Sequence, residues 1–178
     1  LKKQPGSLTS ATSGVGSYSH LAGEWFASNA GVKIDFVPYN TSSPYADLVA
    51  GQVNVIFDAL PAAIGNVKAG KLKILALTGK TRHPNFPDVP TFAELKLPDL
   101  NLTSWTGLAA PANTPEPIVQ LLYRTVRGIL NEPATQSVWT DKGMMVPEDI
   151  SPAAYRTEIG ERIQFYQRIA KANNIVAE

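Results

Sequence analysis

The 178-residue sequence contains no cysteine. Disulfides, thiolate zinc sites and a cysteine nucleophile are excluded together, although the absence does not choose between periplasm and cytosol. Histidine is almost as scarce: His20 and His83 are the 2 present, and neither has a second metal-ligating residue nearby in a suitable pattern, so no metal site is expected. No apolar run approaches the ~20 residues that span a bilayer, so stable membrane insertion is not expected. Basic residues form no block longer than Lys2-Lys3 and the formal net charge is only +1, which argues against nucleic acid as a partner. Dinucleotide and phosphate loops are missing too. Gly14-Val15-Gly16 would need its third glycine at Ser19, and no Gly-Lys-Ser/Thr occurs, so no nucleotide, and no other cofactor, is expected. Residues 1–6 lack the apolar core of a secretory leader, and the chain is expected to begin within something longer.

What is present is an ordinary globular composition, 44% hydrophobic and 17% charged. Its first half alternates two periodicities. Residues 8–12 read as a strand, Gly14 and Gly16 as a turn, and Ser17 as the cap of a helix with Leu21, Ala22, Trp25 and Phe26 on one face. Gly31 stops that helix and residues 34–37 form the next strand. The unit then repeats: cap residues 40–43 and Pro44 open a helix through Ala46, Leu48 and Val49, Gly51 stops it, and residues 53–57 form a strand. Pro61 opens a third helix carrying Ile64 and Val67, Gly70 ends it, and residues 72–77 read as a fourth strand. Such alternation predicts a parallel α/β sheet. Pro84, Pro87, Pro90 and Pro98 force an extended connection with one short helix near residues 92–95, followed by a strand through 102–108 that contains Trp105. The last third is helical. Pro115 and Pro117 start a helix with Ile118, Leu121, Leu122, Val126, Ile129 and Leu130 on one face. Val138 and Trp139 belong to a shorter helix ended by Gly143. Ser151-Pro152 opens a long helix with Tyr155, Ile159, Ile163 and Tyr166 on its face. These helices have apolar faces but little sheet of their own, as expected of a second lobe that is incomplete.

The strand-to-helix turns at residues 13–20, 39–44 and 58–61 should line up at the carboxyl edge of a parallel sheet, where ligands bind. Each offers helix N-terminal amides that attract carboxylate or phosphate oxygens. Ser13, Ser17, Ser19, Asn40, Thr41, Ser42 and Ser43 add hydroxyl and amide contacts, with no Lys or Arg among them. A hydrolase reading rests on Ser17, His20 and Asp58, but Gly-x-Ser-x-Gly is absent. The plainer roles are helix caps for the turns, a loop hydrogen bond for His20 and one to the following turn for Asp58. Trp25, Trp105 and Trp139 read mainly as core.

In order, the stretch from Ser13-Gly14-Val15-Gly16-Ser17 through His20-Leu21-Ala22-Gly23-Glu24, then Val37-Pro38-Tyr39, Gly51-Gln52-Val53-Asn54, Phe57-Asp58, Ala69-Gly70-Lys71-Leu72, Asp88-Val89-Pro90-Thr91 and Leu108-Ala109-Ala110-Pro111 resembles the Bug-type (TctC-like) receptors of tripartite tricarboxylate transporters. The resemblance covers essentially the whole chain. It implies a periplasmic, two-lobed α/β binding-protein fold that closes on a small organic anion and passes it to membrane transporter subunits, with no enzymatic step. It also implies that about the first third of such a protein is missing, that residues 1–104 form a nearly whole α/β ligand-binding lobe, and that residues 105–178 are the incomplete C-terminal helical part of the other. Carried over, the ligand contacts are Ser13, Gly16, Ser17, Ser19, His20, Asn40, Thr41, Ser42 and Asp58. The family's second turn commonly reads Tyr-Lys-Gly-Gly, whereas Tyr39-Asn40-Thr41-Ser42 here exchanges a cation for hydroxyls. A ligand-sensing effector domain of a transcription regulator is the alternative, since it shares the two-lobed architecture.

Overall fold

A computed structural model describes residues 6–40, 42–97, 104 and 106–175. Their elements in chain order are β1 (Thr9–Thr12), α1 (Tyr18–Ala30), β2 (Asp35–Pro38), α2 (Tyr45–Val49), β3 (Val55–Ile56), α3 (Leu60–Lys68), α4 (Glu116–Asn131), α5 (Pro133–Asp141) and α6 (Pro152–Ala172).

The expected parallel sheet forms, with three strands in the order β2-β1-β3. β1 is central: Thr9 to Thr12 register with Asp35 to Pro38 on one side, and Ser10 and Ala11 with Val55 and Ile56 on the other. The central strand is made of small residues, and Ser10, Ala11 and Thr12 are all buried. Small side chains let α1 lie close over the sheet. Gly23 makes the closest approach, because a Cβ there would stand 2.9 Å from Phe36 Cζ and 3.2 Å from Phe57 Cδ2.

The first helix follows the sequence expectation at both ends. Ser17 takes extended angles and its Oγ accepts from the His20 amide, while Gly31 closes the helix at φ 61°, a left-handed conformation natural to glycine. Leu21, Ala22 and Ala27 face inward, Phe26 meets Phe57 with ring centroids 5.1 Å apart, and Trp25 meets Phe165 of α6 at 5.1 Å.

Several expected elements differ. The strand predicted over 53–57 is only Val55–Ile56, because Asn54 Oδ1 accepts from the Thr9 amide (2.9 Å) and the Thr9 hydroxyl (3.0 Å), a side chain standing where a ladder carbonyl would. The predicted strand at 72–77 makes no ladder with β3. Its last residue is taken by the proline-rich connection instead, as the Leu77 amide donates to Pro90 and its carbonyl accepts from Phe92, both at 3.0 Å. The helix expected near 92–95 is a single turn. Thr91 and Glu94 cap one another reciprocally, at 2.7 and 3.2 Å, and Lys96 ends the turn at φ 63°. The strand expected over 102–108 is absent at residues 104 and 106–108, while 102, 103 and Trp105 fall outside the described residues.

The C-terminal helices return to the α/β unit. On α6 Ile169 is buried and the half-buried Tyr155, Ile159, Arg162 and Tyr166 continue the same stripe, so the predicted face turns inward except at Ile163, which is half exposed. Trp25 meets Phe165 and Ser28 meets Asn173, so α1 and α6 run in the same direction. α5 ends against α3: the Lys68 ammonium donates to the Asp141 carbonyl at 2.8 Å, and a Cβ on Gly143 would stand 2.7 Å from Leu60 Cγ. α4 forms as expected, but Ile118, Leu121, Leu122 and Ile129 of its apolar face are exposed.

Candidate functional site

Parallel pairing puts the carboxyl ends of all three strands at one edge, so the turns leaving Thr12, Pro38 and Ile56 emerge side by side. Two contacts tie the first pair. The Tyr39 amide donates to the Thr12 carbonyl at 2.8 Å, and Asn40 Oδ1 lies 2.9 Å from where a Cβ on Gly14 would sit. Gly14 is buried and has φ 111°, so both its conformation and this approach require glycine. The third turn is tied to the second by Tyr45, whose hydroxyl donates to Asp58 Oδ2 at 2.8 Å. Of the residues placed on this edge by sequence, Thr41 lies outside the described residues.

The first turn is braced from within. The Gly16 amide donates to His20 Nδ1 (3.1 Å), the Ser13 amide donates to Ser19 Oγ (2.8 Å), and the Ser17 and Ser19 hydroxyls are 3.0 Å apart. Ser19 is buried, so donation of its hydrogen to Ser17 is the arrangement that leaves no buried hydroxyl unpaired. The Ser17 hydroxyl accepts that hydrogen, caps the helix, and keeps its own hydrogen for a group outside. Ser19 and His20 thus hold the turn in shape, and Ser17 is its outward donor. Ser13, Asn40 and Ser42 are exposed at the same edge, and Gly16 is half-buried.

Among the described residues Ser17, His20 and Asp58 form no nucleophilic relay. His20 Nδ1 is occupied by the Gly16 amide, while Nε2 stands 3.7 Å from Glu24. Burial raises the Glu24 carboxyl above its ordinary range, and His20 opposes that rise. Asp58 is committed to Tyr45 through Oδ2 and to the Ala59 amide through Oδ1, the latter at 2.8 Å.

Electrostatically, Asp58 is the one carboxylate within the three turns, and tyrosines lie close to it. Burial, and then the bond to Asp58, hold the Tyr45 phenol far above its usual range. Burial pushes Tyr18 up to about 12. Tyr166 and Asp58 add to that rise, and Arg162 works against it. Sequence reasoning missed Tyr18, Tyr45, Arg162 and Tyr166. Tyr45 was within reach as the residue after a helix-starting proline, but the α6 pair is brought in only by tertiary packing. The edge itself is open. A separate shallow groove of about 600 Å³, lined by residues including Val67, Leu72, Leu75, Phe86 and Pro90, contains none of the expected site residues. Among the described residues no cluster could hold a metal ion, and no helix is long and apolar enough to cross a membrane.

Comparison with known proteins places this geometry in context. Residues 1–175 match the model of the tripartite tricarboxylate transporter family receptors. BugT of Bordetella pertussis is 31% identical over 171 residues, which is 96% of this chain and 52% of that protein. Rpa4515 of R. palustris, solved with adipate, is similar with a TM-score of 0.85 and 32% identity over 98% of this chain and 58% of its own. MatC from Rhodopseudomonas palustris, with bound malate, is similar with a TM-score of 0.77 and 32% identity over 92% of this chain and 57% of its own. The chain therefore spans about half the length of the curated relatives it matches. Periplasmic binding proteins are thus its structural neighbours, in agreement with the expected fold, and the regulator alternative is not favoured.

Proposed function

Because the chain belongs to the tripartite tricarboxylate transporter receptor family, we propose that it captures a small organic anion carrying at least one carboxylate and hands it, in the periplasm, to membrane transporter subunits without altering it. The observation that carries this reading is the meeting of the strand-to-helix turns at one sheet edge, with the half-buried Ser17 and the exposed Asn40 and Ser42 on it. Such an edge neutralises a carboxylate with dipoles and hydroxyls, each helix end contributing about 0.3–1 kcal/mol when exposed. Asp58 disfavours a second carboxylate directly beside it and suits a hydroxyl, an amine or a bridging water. The adipate and malate held by two structural relatives belong to the same chemical class. The uses already made of His20 and Asp58 leave Ser17 without a base, in keeping with capture rather than catalysis. In this reading residues 1–104 are the ligand-binding lobe and residues 105–178 belong to the other lobe, with α6 packing back onto the first.

Calorimetric titration of the full-length protein with adipate, malate, their diamides and neutral sugars tests the reading. At least one acid should bind and its diamide should not. Binding of sugars or amides alone would overturn it.

A further inference from the structure

The three turns contain no Lys or Arg, yet Arg162, on a helix more than a hundred residues downstream, lies close enough to Tyr18 at the end of the first turn to act on it. The α1–α6 packing places it. Ile169 is 1% exposed and marks the stripe of α6 that faces inward. Arg162 lies seven residues earlier on that stripe, two helical turns or roughly 10 Å toward the N-terminus of α6. Since Trp25 meets Phe165 and Ser28 meets Asn173, with the helices parallel, Arg162 lies within roughly one helical turn of the level of Tyr18, the first residue of α1. The first turns of α6 continue past the start of α1, beyond the sheet's carboxyl edge, and Tyr155 there packs against Gly107 of the connecting segment. The Tyr18 hydroxyl is near enough to Arg162, Tyr166 and Asp58 for each to act on its ionisation.

Arg162 pairs with Glu158 one turn earlier on α6. Its side chain is 17% exposed, while that of Glu158 is 47% exposed. Its Nε (3.1 Å) and one terminal nitrogen (2.9 Å) both donate to the same oxygen, Glu158 Oε1, so the two-oxygen fork that suits a guanidinium is not formed. Glu158, reaching in from water with one oxygen, is an exchangeable partner.

We propose that Arg162 is the specificity-determining cation of the carboxylate site: its guanidinium takes one carboxylate of a dicarboxylate ligand in exchange for Glu158, while the turn hydroxyls and amides hold the other. The inference rests on the carboxylate-capture reading and adds to it. Arg162 replaces, from another element, the positive charge that the second turn lacks, and it offsets the repulsion Asp58 would exert on a doubly charged ligand.

The test is calorimetric titration of the full-length protein with adipate and with hexanoate, for wild type, Arg162→Gln and Glu158→Gln. Arg162→Gln should weaken adipate binding about 10- to 100-fold, the worth of a charge-assisted hydrogen bond, and change hexanoate binding less than about threefold. Glu158→Gln removes the competing carboxylate and should tighten adipate. Both substitutions break the same helix-surface pair, so a purely structural role would weaken binding in both variants, and that outcome overturns the proposal. Adipate affinity unchanged in Arg162→Gln also overturns it while leaving carboxylate capture intact. Failure of the wild type to bind adipate, hexanoate or malate would overturn the capture reading and, with it, this one.

Discussion

The α/β unit and helix α4 treat their apolar residues in opposite ways. In the unit Ala11, Ile34 and Val53 are buried, whereas on α4 Leu121 is 59% exposed. Yet α4 has the clearer amphipathic pattern, with apolar residues at Ile118, Leu121, Leu122, Val126, Ile129 and Leu130. Periodicity describes one helix, and burial needs a second surface. α6 makes the point from the other side. Its stripe is mixed, with Arg162 and Tyr166 beside Ile169, but Ile169 is buried because α1 stands opposite.

Deep truncation at the packed side should have the largest effect. Ile169→Ala should cost about 2–5 kcal/mol in urea unfolding, the usual range for an aliphatic core residue, and loosen α6 from α1. A loss below about 1 kcal/mol would mean that α6 does not rely on that contact. Gly14→Ala follows, at about 1–3 kcal/mol, because it forces an L-residue to φ 111° and crowds Asn40. Its amide resonances should shift chiefly in the first two turns.

Tyr18 stands at the seam between α1 and α6 and gives a pH test. Its phenol is raised from 10.0 to about 12 in the folded chain. The folded state therefore holds this proton more tightly than the unfolded state. The associated stability is complete below pH 10 and is lost as the pH rises to 12, by up to about 1.4 kcal/mol per pH unit. Urea midpoints at pH 9 and pH 11 should fall more for wild type than for Tyr18→Phe, and equal falls would place Tyr18 in water. The smallest effect belongs to α4: Leu121→Ala should change the stability of the 178-residue chain by no more than about 0.5 kcal/mol. A loss approaching that of Ile169→Ala would erase the contrast between the two regions.

The sequence was most readable where local rules and tertiary contacts agree. Ser17 and Gly31 bound α1 as their cap preferences require, Ser151 caps α6, and the glycine turns fall where the strands end. It was less readable where a side chain replaces backbone, as Asn54 does at the start of β3, or where a distant segment captures a strand end, as Pro90 and Phe92 do at Leu77. The candidate edge followed from the parallel topology, and its inner division of labour did not. That Ser19 and His20 brace the turn while Ser17 faces outward depends on which hydrogens are buried. Arg162 was beyond reach for a further reason, because only the α1–α6 register brings it to Tyr18.

An amide chemical-shift map of the full-length protein during titration with adipate or malate tests the central claim most directly. Binding at the sheet edge should move the resonances of residues 13–20, 40, 42–43 and 58–59 in a saturable way and leave α4 unchanged. Saturable shifts confined to α4, or to the groove lined by Leu72 and Phe86, with none in the three turns, would contradict the account.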